Sequence, residues 1–183
     1  MNAAEYLAWE REQPEKHEFH EGEVFAMAGG SRRHNLLAVA AGAELRAALR
    51  GGDCRVLSSD QRIAAPAGRR YVYADAVVAC GPSPEDDAGE LLTNPSVVVE
   101  VLSKSTERYD RGDKWEAYQE IPSLTDYLLL AQRAVRVEHF RREPDAVGWR
   151  YRLLGAGDTI ELTNGARVAV DALYEGAFEL PSD

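Results

Sequence analysis

Apolar positions switch between two periodicities along the chain, and the switches mark the elements. Tyr6, Leu7 and Trp9 make a short helical pattern over residues 3–11 that Pro14 ends. Residues 17–28 predict a hairpin that turns at Glu21-Gly22. Ser31 suits the N-cap of a helix from Arg32 to Arg50, rich in alanine and leucine around most of its circumference and closed by Gly51-Gly52. Residues 54–65 read as a strand, Pro66 to Arg70 as a turn, and the β-branched and aromatic run 71–80 as a second strand. An acidic loop rich in Pro and Gly follows over 81–95. SVVVEVLS at 96–103 is an almost unbroken apolar run, the pattern of an interior strand covered on both faces. A helix is predicted from Thr106 to Glu120, closed by Pro122, then strands over 125–132 and 134–142. The tail holds WRYRLL, TIEL and RVAV, with Asn164-Gly165 as a hairpin signal. No repeat or interdomain linker interrupts this order. It predicts an α/β fold with a mixed sheet flanked by helices, in a single domain over 1–183.

Composition narrows the function classes. Of 183 residues, 21 are Lys or Arg and 31 are Asp or Glu, a net charge of −10 that excludes binding to nucleic acid through a basic arm but not through a local positive groove. Cys54 and Cys80 form no CxxC, so a thiolate zinc site is excluded; they are expected as reduced, partly buried thiols of a cytoplasmic protein. The charged N-terminus lacks the pattern of a signal peptide, and the longest apolar stretch, Leu36 to Ala43, is too short to span a bilayer, so no membrane partner is expected.

Asp75 and Glu100 each interrupt a strand that otherwise asks to be buried. An unpaired buried carboxylate costs several kcal/mol, about what one substitution needs to unfold a small domain. Such acids persist where a cation or hydrogen-bond donors hold them. Two readings stand: convergence on a hard divalent cation, most simply magnesium or else manganese, or a structural pair bound to arginines. Downstream, Asp110, Lys114 and Tyr118 recur at four-residue spacing and share one helix face. Lys114 is thereby placed to return toward the carboxylates, where it orients an attacking water or stabilises transition-state charge; the alternative is a surface pair with Asp110.

With these residues in view, VVVEVLSKSTERYDRGDKWEAYQEIPSLTDYLLL resembles the central signature of the Uma-two family of restriction-endonuclease-like proteins. HEFHEGEVFAMAGGSRRHN, YVYADAVVAC and the LY at 173–174 resemble its outer segments, so the similarity covers nearly the whole chain. The resemblance implies a PD-(D/E)XK nuclease fold: a mixed central sheet between helices, with an N-terminal hairpin and a C-terminal β-hairpin as additions. It implies metal-dependent hydrolysis of phosphodiester bonds, DNA as partner, and a homodimer. Asp75 and Glu100 take the motif's acidic positions, and the backbone carbonyl of Val101 that of a third metal ligand. Ala74 stands in place of the usual proline and Leu102 in place of the motif lysine. Lys114 resembles a migrated substitute, preferred over Lys104, which four residues of strand set roughly 13 Å from Glu100.

His34, at the start of the long helix, is a candidate for phosphate binding or proton transfer, or else a structural donor. Glu18, Glu23 and Asp60 are candidates to complete an acidic site, set against a solvated-face reading. His17 and His20 are read as sharing a strand face but lack a third ligand. Arg32-Arg33, Arg69-Arg70, Arg108 and Arg111 line a positive groove or are ordinary surface charges. Three functions remain open: a magnesium-dependent nuclease, a non-catalytic interaction or regulatory protein that keeps the nuclease fold, and a metal-dependent hydrolase of a smaller phosphate ester.

Overall fold

A computed structural model describes residues 1–27, 29–65, 68–82, 89–143 and 148–182. Its spine is the apolar run identified above, which forms a strand over Pro95–Leu102 with seven of eight residues buried. A run apolar on both faces needs cover on both, and the chain supplies it. Among the described residues, helices α1 (Ala3–Glu10), α2 (Arg32–Ala48), α3 (Glu107–Arg111), α4 (Asp113–Gln119) and α5 (Val170–Tyr174) accompany thirteen strands. In chain order these are β1 (His17–His20), β2 (Glu23–Ala26), β3 (Cys54–Ser58), β4 (Arg62–Ala64), β5 (Arg70–Tyr73), β6 (Ala76–Cys80) and β7 (Leu91–Leu92). They continue with β8 (Pro95–Leu102), β9 (Asp126–Ala131), β10 (Val137–Arg142), β11 (Trp149–Leu154), β12 (Thr159–Glu161) and β13 (Arg167–Ala169).

Six strands form the main sheet in the order β11-β10-β9-β8-β6-β3, and five form an outer sheet in the order β2-β1-β5-β4-β7. Only β8 and β9 run parallel in the main sheet, with Glu100 opposite Leu129, so it is mixed. Strand alternation divides its side chains between two cores. Val97, Val99 and Val101 face α2, α5 and the β12–β13 hairpin. Val98 and Leu102, and Glu100 between them, face the side where Tyr118 of α4 packs. Ser31 caps α2 by accepting from the His34 N–H at 3.2 Å, and Leu37, Ala41 and Leu45 recur every four residues on its buried stripe.

The expected α/β architecture, the N-terminal hairpin and the Asn164-Gly165 hairpin are all present. Glu21 and Gly22 turn the first hairpin with φ of 49° and 103°, the sign that a two-residue connection requires. Three single elements are instead double. Residues 54–65 divide into β3 and β4, and 71–80 into β5 and β6; in each case the first and second halves lie in different sheets. Because β3 pairs with β6 and β4 with β5, the four make one long hairpin that bends at 59–61 and at Ala74-Asp75. Alternation survives such a bend, so hydropathy does not report it. The helix over 106–120 breaks at Gly112, where ψ is −100° and a Cβ would lie 3.1 Å from the Arg108 carbonyl oxygen.

The cysteines also correct the sequence reading. Cys54 and Cys80 face each other across β3 and β6 and are joined in a disulfide, not held as free thiols. Their separation in sequence hides a register that only strand pairing creates. Pro66 and Ala67 of the expected turn, and 83–88 of the acidic loop, lie outside the described residues.

Candidate active site

Asp75 owes its position to the bend of the long hairpin. β6 begins just after it, and Ala76 pairs with Val99, so Asp75 lies beside the continuing end of β8. There its Oδ2 accepts the Val101 N–H at 2.7 Å. The N–H and C=O of a strand residue point to the same edge, so the Val101 carbonyl faces the Asp75 side as well. His34, on the first turn of α2, approaches from the opposite layer, its Nε2 3.4 Å from Asp75 Oδ2.

Glu100 projects from β8 toward α4. Its Oε1 accepts from the Tyr118 hydroxyl at 2.8 Å and lies 3.0 Å from Lys114 Nζ. Lys114 is the hub of the cluster. Its ammonium donates to the Tyr73 carbonyl at 2.7 Å, and lies 3.1 Å from Glu18 Oε1 and 3.7 Å from Asp110 Oδ1. Asp110 is steadied by the Thr106 hydroxyl at 2.7 Å. Asp75, Glu100, Val101, His34, Asp110 and Lys114 all border one cavity of about 140 Å³.

The electrostatics of this cavity are unbalanced. Three carboxylates, from Glu18, Glu100 and Asp110, lie within 3.7 Å of the ammonium of Lys114, and the charge of Asp75 bears on Glu100 as well. Burial pushes the Glu100 carboxyl well above its ordinary range; Lys114 opposes this, and the charges of Asp110, Asp75 and Glu18 add to it. Asp110 is raised as well, first by burial. Burial alone lowers Lys114, but the attraction of Glu100, Glu18 and Asp110 outweighs it and holds the ammonium protonated. Two oxygens remain open: neither Asp75 Oδ1 nor Glu100 Oε2 accepts a hydrogen bond from the described residues.

A hard divalent cation fits this donor set, with two carboxylate oxygens and the Val101 carbonyl on offer and surplus negative charge to neutralise. Among the described residues, no three His, Cys, Asp or Glu side chains are already grouped as a metal cluster, so the carbonyl and water would complete the shell. The candidates Asp75, Glu100, Val101, Lys114, His34, Asp110 and Tyr118 are therefore brought together. Glu23 and Asp60 are not. Glu23 is exposed on β2, and Asp60 pairs on the surface with Lys16 at 2.8 Å. Glu18 reverses its solvated reading: it is buried, and also accepts the Tyr73 N–H at 3.0 Å. Lys104 lies exposed beyond the end of β8 rather than on the strand, away from the cluster around Lys114. His17 and His20, three positions apart, project to opposite faces rather than one, and His17 Nδ1 lies 3.1 Å from Glu10 Oε2. Arg111 is engaged by Glu138 at 2.6 and 2.8 Å, and Arg69 lies 3.5 Å from Glu120.

Comparison with known proteins decides the family. The family model Uma2, described as "Putative restriction endonuclease", matches residues 3–173. The chain belongs to this family. Two relatives come from Synechocystis sp. (strain ATCC 27184 / PCC 6803 / Kazusa). The uncharacterized protein slr1290 is 38% identical over 177 residues, 96% of this chain and 92% of its own. The uncharacterized protein sll1609 is 35% identical over 164 residues, 89% and 93% of the two chains. Among solved structures, the chain resembles a "putative nuclease belonging to DUF820" from Anabaena variabilis ATCC 29413. The TM-score is 0.76 at 14% identity, over 97% of this chain and 99% of that one. That likeness shows a shared mixed α/β fold. Among the described residues, no helix is long and apolar enough to cross a membrane.

Proposed function

We propose that this Uma2-family protein is a nuclease that hydrolyses phosphodiester bonds of DNA with a magnesium or manganese ion. The observation that carries the reading is the excess of buried carboxylate over cation in one cavity, with an oxygen of Asp75 and of Glu100 left open toward it. Such an excess costs several kcal/mol unless a cation relieves it. Asp75, Glu100 and the Val101 carbonyl would hold the ion, which supplies Lewis-acid polarisation of a phosphoryl oxygen and a more acidic water.

The surrounding residues set the carboxylates in place. The Lys114 ammonium donates to the Tyr73 carbonyl at 2.7 Å and is held by ion pairs with Glu18 and Glu100 at 3.1 and 3.0 Å. Lys114 is thus a positioning residue that fixes Glu100 and offsets part of the charge, rather than a group aimed at water. Tyr118 fixes the same Glu100 oxygen. His34 steadies Asp75 and, when protonated, brings positive charge to the mouth of the cavity.

Calorimetric titration of the protein with magnesium and manganese, followed by cleavage assays on single-stranded, duplex and branched DNA, tests the reading. Binding of one ion with proton release, and metal-dependent cleavage, are expected. Ion binding without cleavage on any substrate would leave a non-catalytic protein that retains the fold. No ion binding would reject the site.

A further inference from the structure

A second surface runs outward from the Asp75 end of the cavity. Asp75 and Ser59 border both the cavity and a groove between α2 and β3. The floor of that groove is small and apolar, with Ala38, Val39, Gly42 and Leu57, and Val39 is 72% exposed. At its far end Arg46 and Val56 border both the groove and a basic cleft that holds Arg50 and Arg55. The three openings therefore form one track from the carboxylates to three arginines.

The chain as a whole carries a net charge of −10. Yet Arg46, Arg50 and Arg55 are exposed, and none forms an ion pair with a described residue. Arg46, on the last turn of α2, and Arg50, just past its end, border the same cleft. Arg55 Nη1 is anchored on the carbonyls of Gly52 and Cys54, both at 2.9 Å, which presents its guanidinium beside the other two. Guanidinium forks match phosphate oxygens, and three of them without an ion pair border one cleft here. Along α2, the distance from His34 to Arg46 is roughly 18 Å, about the axial rise of five base pairs of a duplex.

We infer that the α2–β3 groove carries one arm of the nucleic-acid strand away from the scissile position, with its phosphates held by Arg46, Arg50 and Arg55. This rests on the nuclease reading for its substrate class but not for its residues. Charge complementarity argues for the polyanion, and the shared border at Asp75 argues for its direction.

The test compares the parent with the triple variant R46S/R50S/R55S. Binding of a fluorescein-labelled 16-nucleotide single strand, and of its duplex, is measured by anisotropy over a salt series with calcium in place of magnesium. The triple variant is expected to bind on the order of 10- to 100-fold more weakly at low salt. Its dependence of log affinity on log salt is expected to be shallower by about 2 for the single strand and about 3 for the duplex. A control, R150S/R152S/R167S, removes the same charge from other strands and should match the parent; equal loss in the control would reduce the effect to net charge and overturn the groove. Thermal melts confirm that both variants are folded. Unchanged binding and slope in the triple variant would overturn the groove while leaving the nuclease reading intact. Weaker binding by the triple variant, in a parent that cleaves nothing with any metal, would keep the groove and remove the nuclease. A parent that binds no oligonucleotide at all would overturn both.

Discussion

Asp126 and Glu100 sit on the neighbouring parallel strands β9 and β8, on opposite faces of the sheet, and both are nearly removed from water. Asp126 is saturated. Its Oδ1 lies 2.8 Å from His139 Nε2, its Oδ2 lies 2.8 Å from the Thr125 hydroxyl, and the Thr163 N–H reaches both oxygens at 3.3 and 3.0 Å. Glu100 has donors on one oxygen only, and two further carboxylates, from Glu18 and Asp110, crowd the lysine it depends on. Burial alone therefore does not mark a site. A carboxylate met by donors on both oxygens ties a hairpin to a sheet; one surrounded by more acid than base waits for something positive.

Substitutions that neutralise each acid break the comparison most sharply. Glu100→Gln should abolish cation binding in calorimetry and reduce cleavage by about 10³-fold or more, on the scale of lost charge stabilisation in a transition state. Asp126→Asn should leave both unchanged, yet lower stability in urea by about 1–3 kcal/mol because a satisfied network loses acceptors. Loss of cation binding in the Asp126 variant, or its retention in the Glu100 variant, would remove the distinction.

The hub lysine comes next. Lys114→Met should cost about 10²-fold in cleavage and about 3–5 kcal/mol of stability, because it leaves its carboxylates buried without a partner. Its melting temperature should recover on lowering the pH or adding magnesium, which separates charge balance from loss of packing. Lys104→Met should match the parent in both assays. If Lys104→Met is inactive and Lys114→Met active, the exposed lysine is the working one.

A smaller effect is expected from pH. The folded protein binds a proton on Glu100 more tightly than the unfolded chain, since burial raises this carboxyl above its ordinary 4.5. Its contribution to metal-free stability is complete below about pH 4.5 and lost as pH rises through the raised value. Metal-free Glu100→Gln should therefore gain in melting temperature over the parent as pH goes from 5 to 8; a constant difference would mean that Glu100 is balanced. Smallest of all, Asp60→Asn should change stability by less than about 0.5 kcal/mol, as befits an exposed pair with Lys16, and leave cleavage as it was.

Local signals carried much of the fold in this chain. The Ser31 cap, the Glu21-Gly22 turn and the apolar run of β8 are each written in a few adjacent residues. The bends at 59–61 and Ala74-Asp75 were not legible, since a strand keeps its alternation when it passes between sheets. Asp75, Glu100 and Lys114 could be read because each is a charge in an apolar or periodic setting. Glu18 escaped because its partner Lys114 is distant in sequence and its neighbours His17, Phe19 and His20 look like those of an exposed strand. Asp126 and His139 interrupt apolar strands just as Asp75 does; the same reasoning applied to them would have found a buried pair, though not which kind.

The bend at Asp75 also bears on how such a protein tolerates change in length. Residues gained or lost where β4 gives way to β5 reshape the outer sheet. Meanwhile the rungs from Ala76↔Val99 to Val78↔Val97 keep Asp75 against Val101. One residue gained inside β6 slides Asp75 by a rung and turns its side chain to the other face. The bend thus divides the hairpin into an arm whose length is free to drift over generations and a base whose residues are counted one by one.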